Sequence, residues 1–363
     1  MVSSCIAIRP GRGEHAGREC GIVWAMSLIR RRQFLAALGA AALGGAARGG
    51  GVPSGRLVLQ PPTGQSVLDG SVRQGVFMDT GTGRPESGMF GNTRKYADGS
   101  PRFHEGIDIA PVQPWRRDRD PTDVVRAAAA GLVVYVNRQE LNESLYGNYV
   151  VLTHPVAGFG KVYTLYAHLR RFDEGLRAGQ QVAAGTPLGV MGHTPDFPLA
   201  RAHLHFEIGV MMNRYYYLID PQHGVWNGAN LYGVDPCEAF AQQRRKGYFD
   251  IAAYIASRPV AWATVLPPMA EVPDFFRRYP SLWRATEHAR WKTYVAFSRE
   301  GIPVRASSLD PAVQACKKDW GSAAVRATGR DWSEPKRAQT LLDNLLVSPH
   351  WTPAGAKAAG EVG

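Results

Sequence analysis

Ala202-His203-Leu204-His205-Phe206-Glu207-Ile208 is the stretch on which the reading of the fold turns. Side chains of an extended chain point alternately to opposite faces. Leu204, Phe206 and Ile208 are therefore expected in a core, with His203, His205 and Glu207 lining the other face. The same alternation recurs upstream in Gly131-Leu-Val-Val-Tyr-Val, Asn148-Tyr-Val-Val-Leu-Thr and Lys161-Val-Tyr-Thr-Leu-Tyr-Ala-His168-Leu. Short strands at this spacing, punctuated by Gly179, Gly185, Gly189 and Gly192, predict packed antiparallel sheets over residues 66–236. The 40 glycines and 25 prolines of the 363-residue chain favour such turn-rich β architecture over a helical bundle.

Two further segments place polar groups of the same kind. Arg102-Phe-His104-Glu-Gly-Ile-Asp108 puts His104 and Asp108 on one face if extended, with Gly106 able to break the alternation. In Leu165-Tyr-Ala-His168-Leu, His168 alternates in phase with Thr164 and Tyr166. Two imidazoles and one carboxylate with an open fourth position suit catalytic zinc, which brings the pKa of water to about 7. Further histidines beside such a metal take a proton and stabilise an oxyanion. The same donors also describe a non-haem iron(II) site. His154, His193 and His223 read as structural or exposed, and Glu105 and Glu207 as partners of the ligands or solvated charges.

In combination these motifs resemble those of the lysostaphin-type, LytM-like zinc metallopeptidases. The Val125–Gly131 strand, the Tyr146-Gly-Asn-Tyr-Val step and the Gly179-Gln-Gln-Val-Ala-Ala-Gly185 hairpin share the likeness. It extends from Phe90 to Pro236, about 40% of the chain. The resemblance implies the mainly β duplicated-hybrid-motif fold, antiparallel sheets crossed by a cleft. It implies one Zn2+ per chain, ligated by His104, Asp108 and His205, with His168 and His203 as the catalytic pair. It implies an endopeptidase that hydrolyses the peptide cross-links of peptidoglycan stems. All five positions are filled, which predicts an active enzyme. Two rivals remain: a non-catalytic wall-binding regulator of an amidase, and an iron(II) enzyme on the same triad.

The flanking sequence supplies a setting. Residues 1–47 read as a leader, in which Met26 begins a basic, then short apolar, then small-residue run. Arg31-Arg32-Gln33-Phe34-Leu35 resembles the twin-arginine export motif, so Met26 is the expected start and cleavage is expected near Ala47. The product is expected in the periplasm or otherwise outside the cytoplasm, without stable membrane insertion. Residues 48–65 read as a linker, 237–350 as a smaller, mostly α-helical C-terminal region, and 351–363 as a flexible tail. Cys237 to Tyr254 and Pro273 to Phe297 carry the helical spacing, and 341–347 one more apolar helix face.

The net charge of +11 calls for an anionic partner, and by sign alone nucleic acid, lipid and wall polymer fit equally. The motifs select peptidoglycan stems, and no nucleic acid is expected. Arg244, Arg245, Lys246, Arg277, Arg278, Lys317 and Lys318, with Trp283, Trp291, Trp320 and Trp332, form either a docking face or a plainly solvated one. Loops Pro114–Asp120 and Met211–Asn230 either rim the cleft or are plain surface. Cys237 and Cys316 either pair or stay separate thiols.

Overall fold

The computed structural model describes residues 55–67, 75–79, 84–95, 101–112, 121–138, 144–195, 201–266, 268–286, 292–308 and 342–350. The chain divides into Met1–Gly50 and Gly51–Gly363, and the described residues all belong to the second unit. The leader, the loop Pro114–Asp120, Trp291, Cys316, Lys317, Lys318, Trp320, Trp332 and the tail lie outside the described residues. Among the described residues no helix is long and apolar enough to cross a membrane.

The expected mainly β architecture is present. A seven-stranded antiparallel sheet runs Gln181–Val182, Gly131–Asn137, Tyr149–Val156, Gly160–Ala167 and Leu204–Met211. The far edge of Leu204–Met211 is shared end to end by two strands. Ile107–Ile109 pairs with Leu204–Phe206, and Leu231–Val234 pairs with Ile208–Met211. This arrangement brings Asp108 directly opposite His205, although 97 residues separate them in sequence. A second sheet of three strands, Val124–Arg126, Pro187–Met191 and Leu169–Phe172, supplies Val125, Leu169, Leu188 and Met191 to the same core.

Alternation accounts for the two faces of the long strands. Leu204, Phe206, Ile208 and Val210 enter the main core with Val150, Leu152 and Tyr166. On the opposite face Tyr149, Val151, Tyr163, Leu165, Ala167, Met211 and Leu231 form a smaller apolar layer around Tyr146. That second layer surrounds His205 and Glu207 and keeps both buried. His154 is also buried, its Nδ1 2.8 Å from the Ala130 carbonyl and its Nε2 2.8 Å from Thr164 Oγ1, a structural histidine.

The C-terminal segment combines helix and sheet. Helix Pro236–Lys246 starts on Asp235, whose carboxylate accepts from Cys237 N at 2.9 Å, and stops at Gly247 in the left-handed conformation. Its last turn carries Arg244, Arg245 and Lys246, where cations complement the helix dipole. That placement gives the basic run a local explanation. Arg277 and Arg278 likewise pair with Asp274 at 3.8 and 2.8 Å. Helices Ile251–Ser257 and Asp274–Arg278 and the turn of helix over 342–346 complete the helical part.

Thr293–Phe297, however, is a buried strand of a four-stranded sheet with Trp262–Leu266, Pro303–Ser308 and Trp283–Arg284. Its β-branched and aromatic residues suit a buried strand, and packing against Val304 and Ala306 overrides the helical spacing. The segment read as a linker is packed as well. Arg56–Leu57 pairs with Phe249–Asp250, Leu59 N donates to Gln243 Oε1 at 2.8 Å, and Leu57 and Leu59 are buried.

One contact ties the helix to the histidine-bearing strand. Phe240 stacks on Phe206, with ring centroids 5.8 Å apart, and both are fully buried. Replacing Phe240 with alanine should cost about 3–5 kcal/mol. Denaturant unfolding should show it as a lowered midpoint at unchanged slope. A loss under about 0.5 kcal/mol would mean the helix does not support the sheet.

Candidate metal centre

His104, Asp108 and His205 converge on one point. His104 Nε2 lies 3.1 Å from Asp108 Oδ1 and 3.1 Å from His205 Nδ1, and His205 Nδ1 lies 2.9 Å from Asp108 Oδ1. All three residues are buried. Tetrahedral zinc with bonds of about 2.0–2.1 Å places its donors roughly 3.3 Å apart, so the cluster fits such an ion with small adjustment. Among the described residues this is the sole group of three or more potential donors with that spacing.

Two local features bring the donors together. The strand Pro101–Phe103 ends before His104, and the chain resumes as Ile107–Ile109, so strict alternation is broken as Gly106 allowed. A Cβ on Gly106 would sit 2.4 Å from the Phe206 carbonyl oxygen, so only glycine admits this approach to the His205 strand. His104 is then fixed from behind, its Nδ1 2.8 Å from the Met89 carbonyl.

His168 reaches the site by a different route from the one its phase suggested. Thr164 and Tyr166 face the main core, where the Tyr166 hydroxyl accepts from Ala128 N at 2.8 Å. Continued alternation would have sent His168 the same way. Instead the strand ends at Ala167, and His168 takes φ 62°, a left-handed conformation rare outside glycine. That turn swings the ring to within 4.6 Å of His203 and 5.9 Å of His205, centroid to centroid. His168 N donates to the Tyr146 carbonyl at 3.0 Å, which secures the turn. Gly147, at φ 60°, lets Thr194 approach, since a Cβ there would lie 2.3 Å from the Thr194 carbonyl carbon.

The hydrogen bonds also assign the tautomers. A carbonyl oxygen only accepts, so a ring nitrogen facing one must carry the proton. His168 Nδ1 lies 2.6 Å from the Thr194 carbonyl, and His203 Nδ1 lies 2.7 Å from the Arg201 carbonyl. In its neutral form each ring therefore carries its lone pair on Nε2, and that atom of His203 lies 3.8 Å from Asp108 Oδ1. By the same logic His104 offers Nε2 to the centre. His205 is reversed: its Nε2 meets Glu207 Oε1 at 2.9 Å, and Nδ1 faces the centre.

Charge follows from these contacts. Burial, reinforced by repulsion from His203 and His205, holds His168 well below the ordinary histidine value of 6.5, so its ring is neutral at neutral pH. Burial pushes His205 the same way, but its bonds to Asp108 and Glu207 and their charges prevail and raise it to about 9. That figure belongs to the metal-free ring, in which a proton takes the place of a cation. For Glu207 burial favours the neutral acid, yet the bonds and charge from His205, Tyr163 and Tyr146 keep the carboxyl ionised.

Sequence reasoning left Glu207 undecided and passed over Tyr163, Arg201 and Thr194. Tyr163 was within reach, since its alternation with Leu165 and Ala167 puts it on the face of His205. The two carbonyls had no signal in side-chain chemistry. His193 is partly exposed, and His223 pairs with Asp220 at 3.3 Å.

Residues 102–216 match the model of Peptidase family M23, and all five expected site residues fall inside that match. The likeness to the M23 peptidases is thus confined to residues 102–216. No curated protein matches the chain. Among solved structures it is similar to a zinc-containing peptidase from Vibrio cholerae, at 26% identity and TM-score 0.24, covering 33% of this chain and 31% of that one. Lysostaphin from Staphylococcus simulans is similar at 19% identity and TM-score 0.28, over 44% and 50% of the two chains. Csd3 from Helicobacter pylori is similar at 18% identity and TM-score 0.26, over 53% and 41%. The chain thus spans about a third of the length of the Vibrio protein and half that of lysostaphin. The donor set His104, Asp108 and His205 lies within the part of the chain that matches this peptidase family.

Proposed function

We propose that the protein is an exported zinc endopeptidase that hydrolyses the peptide cross-links of peptidoglycan. The observation that carries the reading is the convergence of five side chains. His104, Asp108 and His205 would hold the ion, and the rings of His168 and His203, each with Nδ1 on a backbone carbonyl, lie beside them. A bound zinc supplies Lewis acidity and lowers the pKa of water to about 7. A bare Nε2 on His203 or His168 accepts a proton from the attacking water. Once protonated, the same ring donates to the developing oxyanion or returns the proton to the leaving amine. The Arg201 and Thr194 carbonyls hold the two rings in the orientation this transfer needs.

An iron(II) oxygenase would need the three donors but has no use for two further imidazoles beside them, which favours hydrolysis. A regulator of an amidase would have no need of the complete set. The experiment is digestion of purified cell wall by the mature protein, with and without chelator, followed by mass spectrometry. Cross-linked dimers should fall to monomers with a new free amine, stop with chelator and resume with added zinc. Intact wall alongside stimulated amidase activity would replace the reading with the regulator, and oxygen-dependent turnover with iron would replace it with the oxygenase.

The peptide target draws on lysostaphin's printed description as an antimicrobial peptidase and on the motif resemblance. Export rests on Arg31-Arg32-Gln33-Phe34-Leu35. On this reading the double change Arg31→Lys, Arg32→Lys retains the uncleaved precursor in the cytoplasm. Cell fractionation checks it, and normal export of that variant would remove the twin-arginine assignment.

A further inference from the structure

We propose that Glu207, clamped by the hydroxyls of Tyr146 and Tyr163, is a positioning residue that forces His205 to bind its metal through Nδ1. The inference rests on the metal-centre reading above and concerns what makes that centre able to bind. Glu207 is buried and receives three hydrogen bonds. Its Oε1 accepts from His205 Nε2 at 2.9 Å and from Tyr146 OH at 2.8 Å, and its Oε2 accepts from Tyr163 OH at 2.8 Å. A carboxylate so placed is costly to bury unless its partners are arranged for it.

The arrangement matters because His205 stands between two carboxylates. Asp108 Oδ1 lies 2.9 Å from Nδ1 on one side of the ring, and Glu207 Oε1 lies 2.9 Å from Nε2 on the other. A neutral imidazole has one N–H, and it settles on the nitrogen with the better acceptor. With Asp108 alone, that proton would sit on Nδ1 and fill the lone pair a metal requires. Glu207 holds a proton on Nε2, so in the neutral ring the lone pair lies on Nδ1, where the metal would bind. Tyr146 adds a second constraint, its ring lying 5.5 Å from that of His205. Tyr149 belongs to the same aromatic layer but donates its hydroxyl to the Trp226 carbonyl at 3.1 Å, not to Glu207.

Zinc affinity of the intact mature protein, measured by competition with a chromophoric chelator, tests this without recourse to activity. Glu207→Ala should weaken zinc binding by about 10- to 100-fold. Glu207→Gln, whose side-chain oxygen still accepts from Nε2, should recover most of the loss. Tyr146→Phe should weaken binding by a few-fold, and Tyr149→Phe should leave it unchanged. In the zinc-loaded protein, the His205 Nε2 proton should appear as a slowly exchanging low-field signal in the NMR spectrum.

The proposal is overturned if Glu207→Ala lowers the melting temperature yet binds zinc as tightly as the unaltered protein. It is equally overturned if Tyr149→Phe loses as much affinity as Tyr146→Phe, which would mark the layer as packing alone. Failure of the metal-centre reading would look different, because the unaltered protein itself would then bind no zinc.

Discussion

Replacing His205 with alanine is expected to leave less than about a tenth of an equivalent of zinc on the dialysed protein and to reduce wall hydrolysis to background. A catalytic zinc site uses three protein ligands, and two cannot hold the ion against dialysis. His205 is also the partner of two buried carboxylates, Asp108 and Glu207, so its loss removes a bond from each. Part of the effect on folding therefore belongs to those carboxylates. His104→Ala separates the two causes, since His104 contacts Asp108 but not Glu207 through its ring. Both variants should lose zinc, with the larger drop in melting temperature in His205→Ala. Zinc content by atomic absorption together with a thermal melt checks this. Full zinc occupancy in either variant would remove that residue from the ligand set.

His203→Ala should behave in the opposite manner, keeping one zinc per chain while hydrolysis falls by about 10²- to 10⁴-fold. The ring lies outside the donor cluster, with Nε2 3.8 Å from Asp108 Oδ1 against 2.9 Å for His205 Nδ1. Its Nδ1 is committed to the Arg201 carbonyl, so Nε2 is the atom left to handle a proton. The loss should appear chiefly in kcat, because a proton-transfer group acts in the transition state. Loss of zinc along with activity would make His203 a ligand. Unchanged activity would end its assignment as a proton carrier.

Much of the fold was legible because a period of two is hard to disguise. Leu204, Phe206 and Ile208 alternate with His203, His205 and Glu207, and the structure buries the first set in the main core. The pairing of Asp108 with His205 was not legible, since register between strands 97 residues apart depends on the rest of the sheet. His168 shows the limit of the periodic argument. Its residue type pointed to the site while its phase pointed away, and a single left-handed turn resolved the conflict. Thr293–Phe297 shows another limit, for five residues rich in aromatics suit helix or strand until their neighbours are known. Leu57 and Leu59 looked like part of a Gly/Pro-rich connector, but they meet partners nearly two hundred residues away in Phe249 and Gln243.

The C-terminal segment is more closely joined to the histidine-bearing sheet than its composition suggested. Arg214, just after the His205 strand, donates through Nε to the buried Asp274 at 3.0 Å. Tyr279 donates its hydroxyl to the Lys161 carbonyl at 2.9 Å and accepts from Met211 N at 3.0 Å. Asn344 donates to the Ala229 carbonyl at 3.2 Å, and Asn213 to the Val347 carbonyl at 2.7 Å. These bonds fasten both ends of the 212–230 loop to residues beyond 270. Packing of this kind accounts for the buried aromatics Phe275, Phe276 and Tyr279 without invoking a wall polymer.

Anomalous diffraction from crystals of the mature protein, collected on either side of the zinc edge, tests the metal centre most directly. One peak per chain is expected, within about 2.0–2.2 Å of His104 Nε2, Asp108 Oδ1 and His205 Nδ1. A peak that persists below the zinc edge, as that of iron would, or one that lies away from these three atoms, would contradict the account.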